Sequence, residues 1–187
     1  DSGNSLLPTT QYGRSKAIGE RIIDEADLDN YCIVRPTSIW GEWFREPYLN
    51  FFMLICRSRY IRIGGKRSST KTFGYVGNIT DQFIGILNAQ DVITNGEKIY
   101  LGDEIPLNID VFALEISRIR GVKYMPKAPY QVLRAAAFFG DLIVKLGVNF
   151  PLTTFRLKNM TMDRIENVSF AVSLQSRKIG LIQAITS

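Results

Sequence analysis

The sequence predicts an α/β protein, with helices packed on short, mostly interior strands. Three observations carry this. Residues 10–27 place Ile18, Ile22, Ile23 and Ala26 at helical spacing. The run Tyr31-Cys32-Ile33-Val34 is short, apolar and partly β-branched, as expected of an interior parallel strand, and it ends at Arg35-Pro36. Beyond it, helix and strand signals alternate along most of the chain.

Taken in order, residues 1–10 read as an exposed lead-in, and Pro8-Thr9-Thr10 supplies a turn and an N-cap hydroxyl. The helix of residues 10–27 would pack its isoleucines on a sheet. Leu28-Asp29-Asn30 turns the chain into the strand of residues 31–34. Glu46-Pro47 opens a helix over residues 48–58, with Phe51, Phe52, Leu54 and Ile55 on its apolar face. Residues 60–63 suit a short strand. The loop of residues 64–70 carries Lys66 and Arg67, either as a solvated basic turn or as a phosphate-facing loop.

Residues 71–76 form the next strand candidate, and Gly77-Asn78-Ile79-Thr80-Asp81 reads as the cap of a helix over residues 80–89. Asn95-Gly96 turns into a strand over residues 97–101. A helix over residues 110–120 ends at Gly121, and residues 122–125 suit a strand before the break at residues 126–129. Residues 131–146 form a helix that is apolar on most sides; it would pack within the domain or meet a partner subunit in a homodimer. Its length and its Arg134, Asp141 and Lys145 argue against a membrane span. A short helix covers residues 155–160, and the periodicity beyond residue 161 is weak.

Composition narrows the function classes. The 187 residues are 45% hydrophobic and 22% charged, ordinary for a globular protein. The formal charge is +5, but the basic residues are scattered and no nucleic-acid-binding pattern accompanies them. With no histidine and no Cys-x-x-Cys, zinc is disfavoured. Cys32 and Cys56 fall in apolar elements and read as reduced core residues. No signal peptide or membrane-length apolar run is found, so a cytoplasmic location without membrane contact is expected.

The chemistry-bearing stretch is Tyr12-Gly13-Arg14-Ser15-Lys16. A tyrosine and a lysine four apart share one helix face. An ammonium beside a phenol stabilises the phenolate, so the phenol can exchange a proton with a carbinol or carbonyl oxygen.

The combination Pro8-x-Thr10-x-Tyr12-Gly13-x-Ser15-Lys16, followed by Arg35-Pro36-Thr37-x-x-x-Gly41, resembles the extended short-chain dehydrogenase/reductases, in particular the NAD-dependent nucleotide-sugar epimerases and dehydratases. The resemblance implies a fold: the C-terminal part of a Rossmann-type parallel sheet plus a small mixed α/β substrate-binding domain. Residues 1–45 would belong to the nucleotide-binding domain and residues 46–187 mainly to the substrate domain, with residues 71–90 able to return to the sheet. The family's Gly-x-x-Gly-x-x-Gly pyrophosphate turn is not found, nor the Ser or Thr that ends the strand before the catalytic helix. The expectation is therefore a C-terminal half, inert without an N-terminal Rossmann half.

The resemblance also implies roles. Tyr12 would be the general acid/base. Lys16 would hold the nicotinamide ribose of NAD or NADP and lower the Tyr12 pKa. Pro36 and Thr37 would border the nicotinamide. Ser38, Asn50 and Lys71 would face the substrate phosphates, Ser38 and Asn50 being equally readable as a loop hydroxyl and a helix cap. Lys71 and Asn78 stand where the family has Arg and Asp, and lysine keeps the charge but not the bidentate fork. The family's second phosphate-gripping arginine has no match among Arg118, Arg120 and Lys123. Gln11 before Tyr12 favours an epimerase or simple reductase of the bacterial polysaccharide type over a dehydratase. The alternatives are a steroid- or flavonoid-type alcohol dehydrogenase and a non-catalytic binding protein that keeps the fold.

Overall fold

The computed structural model describes residues 10–64 and 68–187, with Gln90 described by its backbone alone. The basic pair Lys66-Arg67 and the lead-in up to Thr9 lie outside the described residues.

Helix α1 spans Gln11–Glu25, and the Thr10 hydroxyl caps it by accepting the Gly13 N–H at 3.0 Å. Strands β1 (Cys32–Pro36) and β2 (Ser38–Trp40) follow almost without a break. Thr37 sits between them, and the strand changes partner there. β1 pairs in parallel with β6 (Glu97–Leu101), from Cys32 opposite Glu97 to Pro36 opposite Leu101. β2 pairs in parallel with β5 (Phe73–Tyr75). Thr37 N–H donates to the Leu101 carbonyl at 2.9 Å, and Asp103 N–H donates to the Phe73 carbonyl at 2.7 Å. The parallel sheet thus forks at Thr37.

β2, β5, α2 (Tyr48–Cys56), α4 (Ile109–Ile119) and α8 (Leu181–Thr186) contribute to one aromatic core. Helices α2 and α4 bring Ile55, Phe112, Ala113 and Ile116 against Trp40, Phe73 and Tyr75. Asn108 caps α4 by accepting the N–H groups of Asp110 and Val111. A second core joins α3 (Val76–Asn88) and α7 (Ser169–Ser173) to β6 through Ile79, Ile86, Ile99, Leu101 and Ala171. A third gathers β3 (Arg62–Gly64), β8 (Lys127–Pro129), α5 (Tyr130–Lys145) and α6 (Thr154–Thr161) around Ile63, Leu133, Ala137 and Leu157. β4 (Thr70–Lys71) pairs antiparallel with β7 (Leu107–Asn108). The last helix, α8 (Leu181–Thr186), places Ala184 and Ile185 in the first core.

Several expectations are corrected. Ile18, Ile22, Ile23 and Ala26 stay exposed rather than packing on a sheet. Among the described residues β1 pairs with β6 alone, and α1 is held to these strands by polar side chains. The expected strand of residues 71–76 splits at Thr72, whose hydroxyl and N–H are taken up by Glu166 N–H and the Arg164 carbonyl. No strand forms at residues 122–125. Val122 closes the end of α4 instead, its N–H and carbonyl both bonded to Ser117, and the strand forms at Lys127–Pro129. Cys56 is exposed and not a core residue; Cys32 is half-buried, and both thiols are free. Among the described residues no helix is long and apolar enough to cross a membrane.

The segment read as a cap before residue 80 is the first turn of α3, because Asn78 is drawn into a buried polar network. Its amide donates to Asp103 Oδ1 at 2.7 Å and to the Ile179 carbonyl at 3.0 Å. Its carbonyl oxygen accepts Ile179 N–H at 2.8 Å and Gln175 Nε2 at 3.0 Å. Gln82 brackets Gly102 with two bonds of 2.8 and 3.1 Å. Asp103 Oδ2 accepts Tyr75 N–H at 3.0 Å. Burial pushes the Asp103 carboxyl above its ordinary value, more than these two bonds lower it.

A raised pKa means that the folded protein holds this proton more tightly than the unfolded chain. The stability it contributes is complete below the ordinary value of 3.8 and is lost as pH rises through the folded-state pKa. Against an Asp103→Asn control, whose side chain does not titrate, the wild type should therefore lose relative urea resistance as pH rises from the acid side. Parallel pH dependence in the two proteins would rule this out.

Candidate functional site

Tyr12 stands in the first turn of α1, 73% exposed. The four-residue spacing stacks Lys16 over it, with Nζ 5.5 Å from the ring centroid, a cation–π distance. The Arg-Pro motif fixes where this pair sits. Arg35, at the end of β1, binds Glu20 of α1 in a two-pronged pair, with Nε to Oε1 at 2.9 Å and Nη2 to Oε2 at 2.5 Å. Its Nη1 also donates to the Tyr100 hydroxyl at 3.0 Å. A second clamp, Lys98 to Asp24 at 2.8 Å, holds the far end of α1. Helix α1 is thus docked on β1 and β6 by side-chain charge.

Pro36 ends β1 and Thr37 occupies the fork. The Thr37 hydroxyl is buried without a hydrogen-bond partner. Gly102 allows this close approach: a Cβ there would lie 2.9 Å from Thr37 Oγ1 and 2.7 Å from Thr72 Cγ2. The C-terminal edge of parallel strands, at a point where the strand changes partner, is the usual ligand position in open α/β sheets.

Ser38 begins β2 and hydrogen-bonds the Tyr48 phenol at the start of α2. Burial pushes that phenol up, and the Ser38 bond and the nearby Arg164 partly offset it. Lys71 lies in β4, half-buried, with Nζ donating to the Asn159 carbonyl at 2.5 Å. Burial pulls its ammonium below the usual lysine range; Arg164 adds to this and Asp163 opposes it. Asn50 is exposed in the first turn of α2 and donates to Glu46 Oε1 at 2.9 Å. The structure therefore gathers Ser38, Tyr48, Lys71 and Arg164, while Asn50 makes its own separate bond.

Arg164 escaped the sequence reading. It meets β4 through a parallel bridge to Lys71, its N–H donating to the Thr70 carbonyl and its carbonyl accepting Thr72 N–H, both at 2.9 Å. Its side chain is 77% exposed, with Nε on Glu166 at 3.1 Å. The sequence signal was slight: an arginine between two acids, Asp163 and Glu166, in a stretch of weak periodicity. Arg118, weighed earlier, is instead paired with Glu115 three residues before it on α4. Among the described residues no group of three or more His, Cys, Asp or Glu is placed to hold a metal.

Two cations side by side disfavour each other's charge. In Arg164→Ala, Lys71 should titrate at a higher pH than in the wild type, followed by NMR of its side chain. An unchanged titration would mean that the two cations do not share a site.

No protein-family model matches the chain. Among curated proteins it is similar to the N-acetyl-α-D-glucosaminyl-diphospho-ditrans,octacis-undecaprenol 4-epimerase of Escherichia coli O157:H7, 26% identical over 166 residues, 84% of this chain and 49% of that one. It is also similar to a 3β-hydroxysteroid dehydrogenase/Δ5→4-isomerase of Mycobacterium tuberculosis, 24% identical over 134 residues, 65% of this chain and 36% of that one. The chain thus spans half or less of the length of these relatives. Its fold matches the UDP-glucuronic acid 4-epimerase of Bacillus cereus in complex with UDP-glucuronic acid and NAD, with TM-score 0.66 and 16% identity, over 96% of this chain and 51% of that one. It matches the GDP-mannoheptose C4 reductase of Campylobacter jejuni with NADP bound, with TM-score 0.62 and 16% identity, over 93% and 54%. The fold is that of about half of a Rossmann-type epimerase, and the resemblance to the extended short-chain dehydrogenase/reductases holds in both sequence and fold.

Proposed function

We propose that the chain is the C-terminal, substrate-side part of a cytoplasmic NAD(P)-dependent epimerase or reductase that acts on a nucleotide-diphosphate sugar. The observation that carries this reading is the Lys71–Arg164 pair beside Ser38 and Tyr48, next to the sheet fork. Arg164 lowers the Lys71 ammonium although its own side chain, 77% exposed, pairs with Glu166. A diphosphate between them would offset the repulsion and accept hydrogen bonds from both.

The residues present fit one end of a dinucleotide. The exposed Tyr12–Lys16 pair and Pro36, with the unpartnered Thr37 hydroxyl behind it, suit the nicotinamide-ribose end. Bound there, the cofactor would supply a hydride acceptor. Tyr12 would exchange a proton with the sugar hydroxyl, and Lys16 would hold the ribose and the phenol in place. Arg35 and Glu20 would position both by fixing α1. The pyrophosphate end needs a glycine-rich turn, which we assign to an N-terminal Rossmann half. The exposed isoleucines of α1 and the pairing of β1 with β6 alone among the described residues support such a covering half. In this reading residues 10–45 complete its nucleotide-binding sheet, and residues 71–103 return to it through β5 and β6.

In the complete enzyme, Tyr12→Phe should cut turnover by about a hundredfold or more while leaving the fold intact, since only the phenol oxygen is removed. Turnover within a few-fold of wild type would end the catalytic assignment.

A second reading, oxidation of a neutral alcohol, is favoured by the bond that already ties Lys71 Nζ to Asn159 and by the steroid dehydrogenase among the relatives. Lys71→Ala separates the two. A charged hydrogen bond is worth about 1.5–3 kcal/mol, so the Michaelis constant for a nucleotide-sugar should rise about ten- to a hundred-fold. The kinetics of a neutral alcohol would not change.

A further inference from the structure

Helix α5 is apolar on both sides. Its inner face, Leu133, Ala137 and Gly140, is buried. At Gly140 the packing is so close that a Cβ would lie 2.6 Å from the Phe150 ring. Helical periodicity of about 100° per residue places Val132, Ala135, Phe138, Phe139, Leu142 and Leu146 on the opposite side, in an arc of about 120°. Gln131 is the polar member of that arc. Phe138 and Phe139 are about 60% exposed and Leu146 is 82% exposed, and the patch continues into Val148 in the following turn. Contiguous exposed apolar surface of this kind marks an interaction site.

The charges around it select the occupant. Arg134 and Lys145 flank the arc on one side, both exposed and without an ion pair among the described residues. The one acid of α5, Asp141, is half-buried on the same flank, where it accepts Thr154 N–H at 3.1 Å. The adjoining α6 adds exposed Arg156 and Lys158 and no acid. A second copy suits this face poorly. Antiparallel pairing of two α5 helices would set Arg134 against Lys145 of the copy, and parallel pairing would set each cation against itself. An anionic bilayer satisfies both features. The apolar arc enters the acyl boundary, and the long basic side chains reach the phosphates. At 16 residues the helix is too short to span, so it would lie in the plane of the surface.

We propose that α5 is an in-plane anchor that seats the protein on an anionic phospholipid leaflet. This departs from the expectation of no membrane contact and is independent of the substrate assigned above. The test is co-sedimentation of the 187-residue chain with vesicles. The wild type should sediment with an equal mixture of phosphatidylcholine and phosphatidylglycerol, and much less with phosphatidylcholine alone. Phe139→Glu with Leu142→Glu should lower partitioning about tenfold or more. Arg134→Gln and Lys145→Gln should each lower it about fivefold. Ile22→Glu, on the other exposed apolar face, should leave it unchanged. Circular dichroism checks the fold, and the milder Phe139→Ser with Leu142→Ser replaces any glutamate variant that unfolds. The proposal is overturned if the wild type stays in solution with the mixed vesicles, or if Ile22→Glu and not the α5 variants abolishes binding. A wild-type dimer that Phe139→Glu converts to a monomer in sedimentation velocity would assign the face to a second copy and overturn it too.

Discussion

Phe112 is the side chain on which the largest aromatic cluster among the described residues is assembled. It is fully buried and touches four other rings: Trp40 at 5.1 Å, Phe73 at 5.2 Å, Phe52 at 5.7 Å and Phe51 at 5.8 Å between centroids. Those partners come from β2, β5 and α2, so one ring of α4 ties three other elements together. Edge-on and tilted pairs of this kind add about 0.5–1.5 kcal/mol each beyond the area they bury. The arrangement carries a cost at its centre, since Trp40 Nε1 is buried without a partner. Its consequence for the site is direct. Packing of Phe51 and Phe52 sets the start of α2, and this puts the Tyr48 phenol on Ser38 at the strand fork.

Two other helices show the opposite ways of fastening a helix to a sheet. α1 buries no residue and is held by Arg35–Glu20 and Lys98–Asp24. The first pair is largely shielded from water, so its two parallel hydrogen bonds specify orientation as well as attraction. α5 is held by close apolar contact, with Gly140 letting the Phe150–Leu152 turn approach its backbone. Charge pairs of defined geometry fix the orientation of the exposed face that carries Tyr12 and Lys16. Close packing suits a helix whose outer face is free to meet another phase.

What could be read from the sequence divides along the same physical line. Features set by near neighbours in the chain were legible: the Thr10 cap, the stacking of Lys16 on Tyr12, the end of β1 at Pro36 and the strand Glu97–Leu101. Features set by distant backbone partners were not. Lys127–Pro129 becomes a strand because β3 runs beside it, although its two prolines' neighbourhood reads as a break. Arg164 reaches the site because Thr70 and Thr72 bind its backbone across more than ninety residues of chain. The last twenty residues have no useful periodicity, yet Asn78, Gln82 and Asp81 of α3 bind Gln175, Ser176, Arg177 and Ile179 and fix them. Side chains of α3 meet backbone groups of that tail, and no periodic pattern encodes such contacts.

Asp103, the Thr37 hydroxyl and the Lys71–Arg164 neighbourhood are arrangements that a fold optimised for stability alone would avoid, and they differ in what compensates them. Asp103 is a buried acid with no cation, but both its oxygens accept hydrogen bonds and the network ties α3 to the sheet fork. These bonds offset its cost only in part, since burial still holds its carboxyl above the ordinary value. The Thr37 hydroxyl has no partner, whereas Lys71 donates to the Asn159 carbonyl and Arg164 pairs with Glu166. A threonine without a partner costs about 1–3 kcal/mol relative to water. Burial lowers the Lys71 ammonium below its ordinary value and Arg164 adds to this. Sequences depart from local consistency chiefly where a site requires it. Thr37 and Lys71 both lie just before the β2–β5 pair, whose register begins at Ser38 opposite Phe73. A ligand that brings a hydrogen-bonding edge to the fork and negative charge to the lysine would relieve the lysine directly and give the strand end a partner.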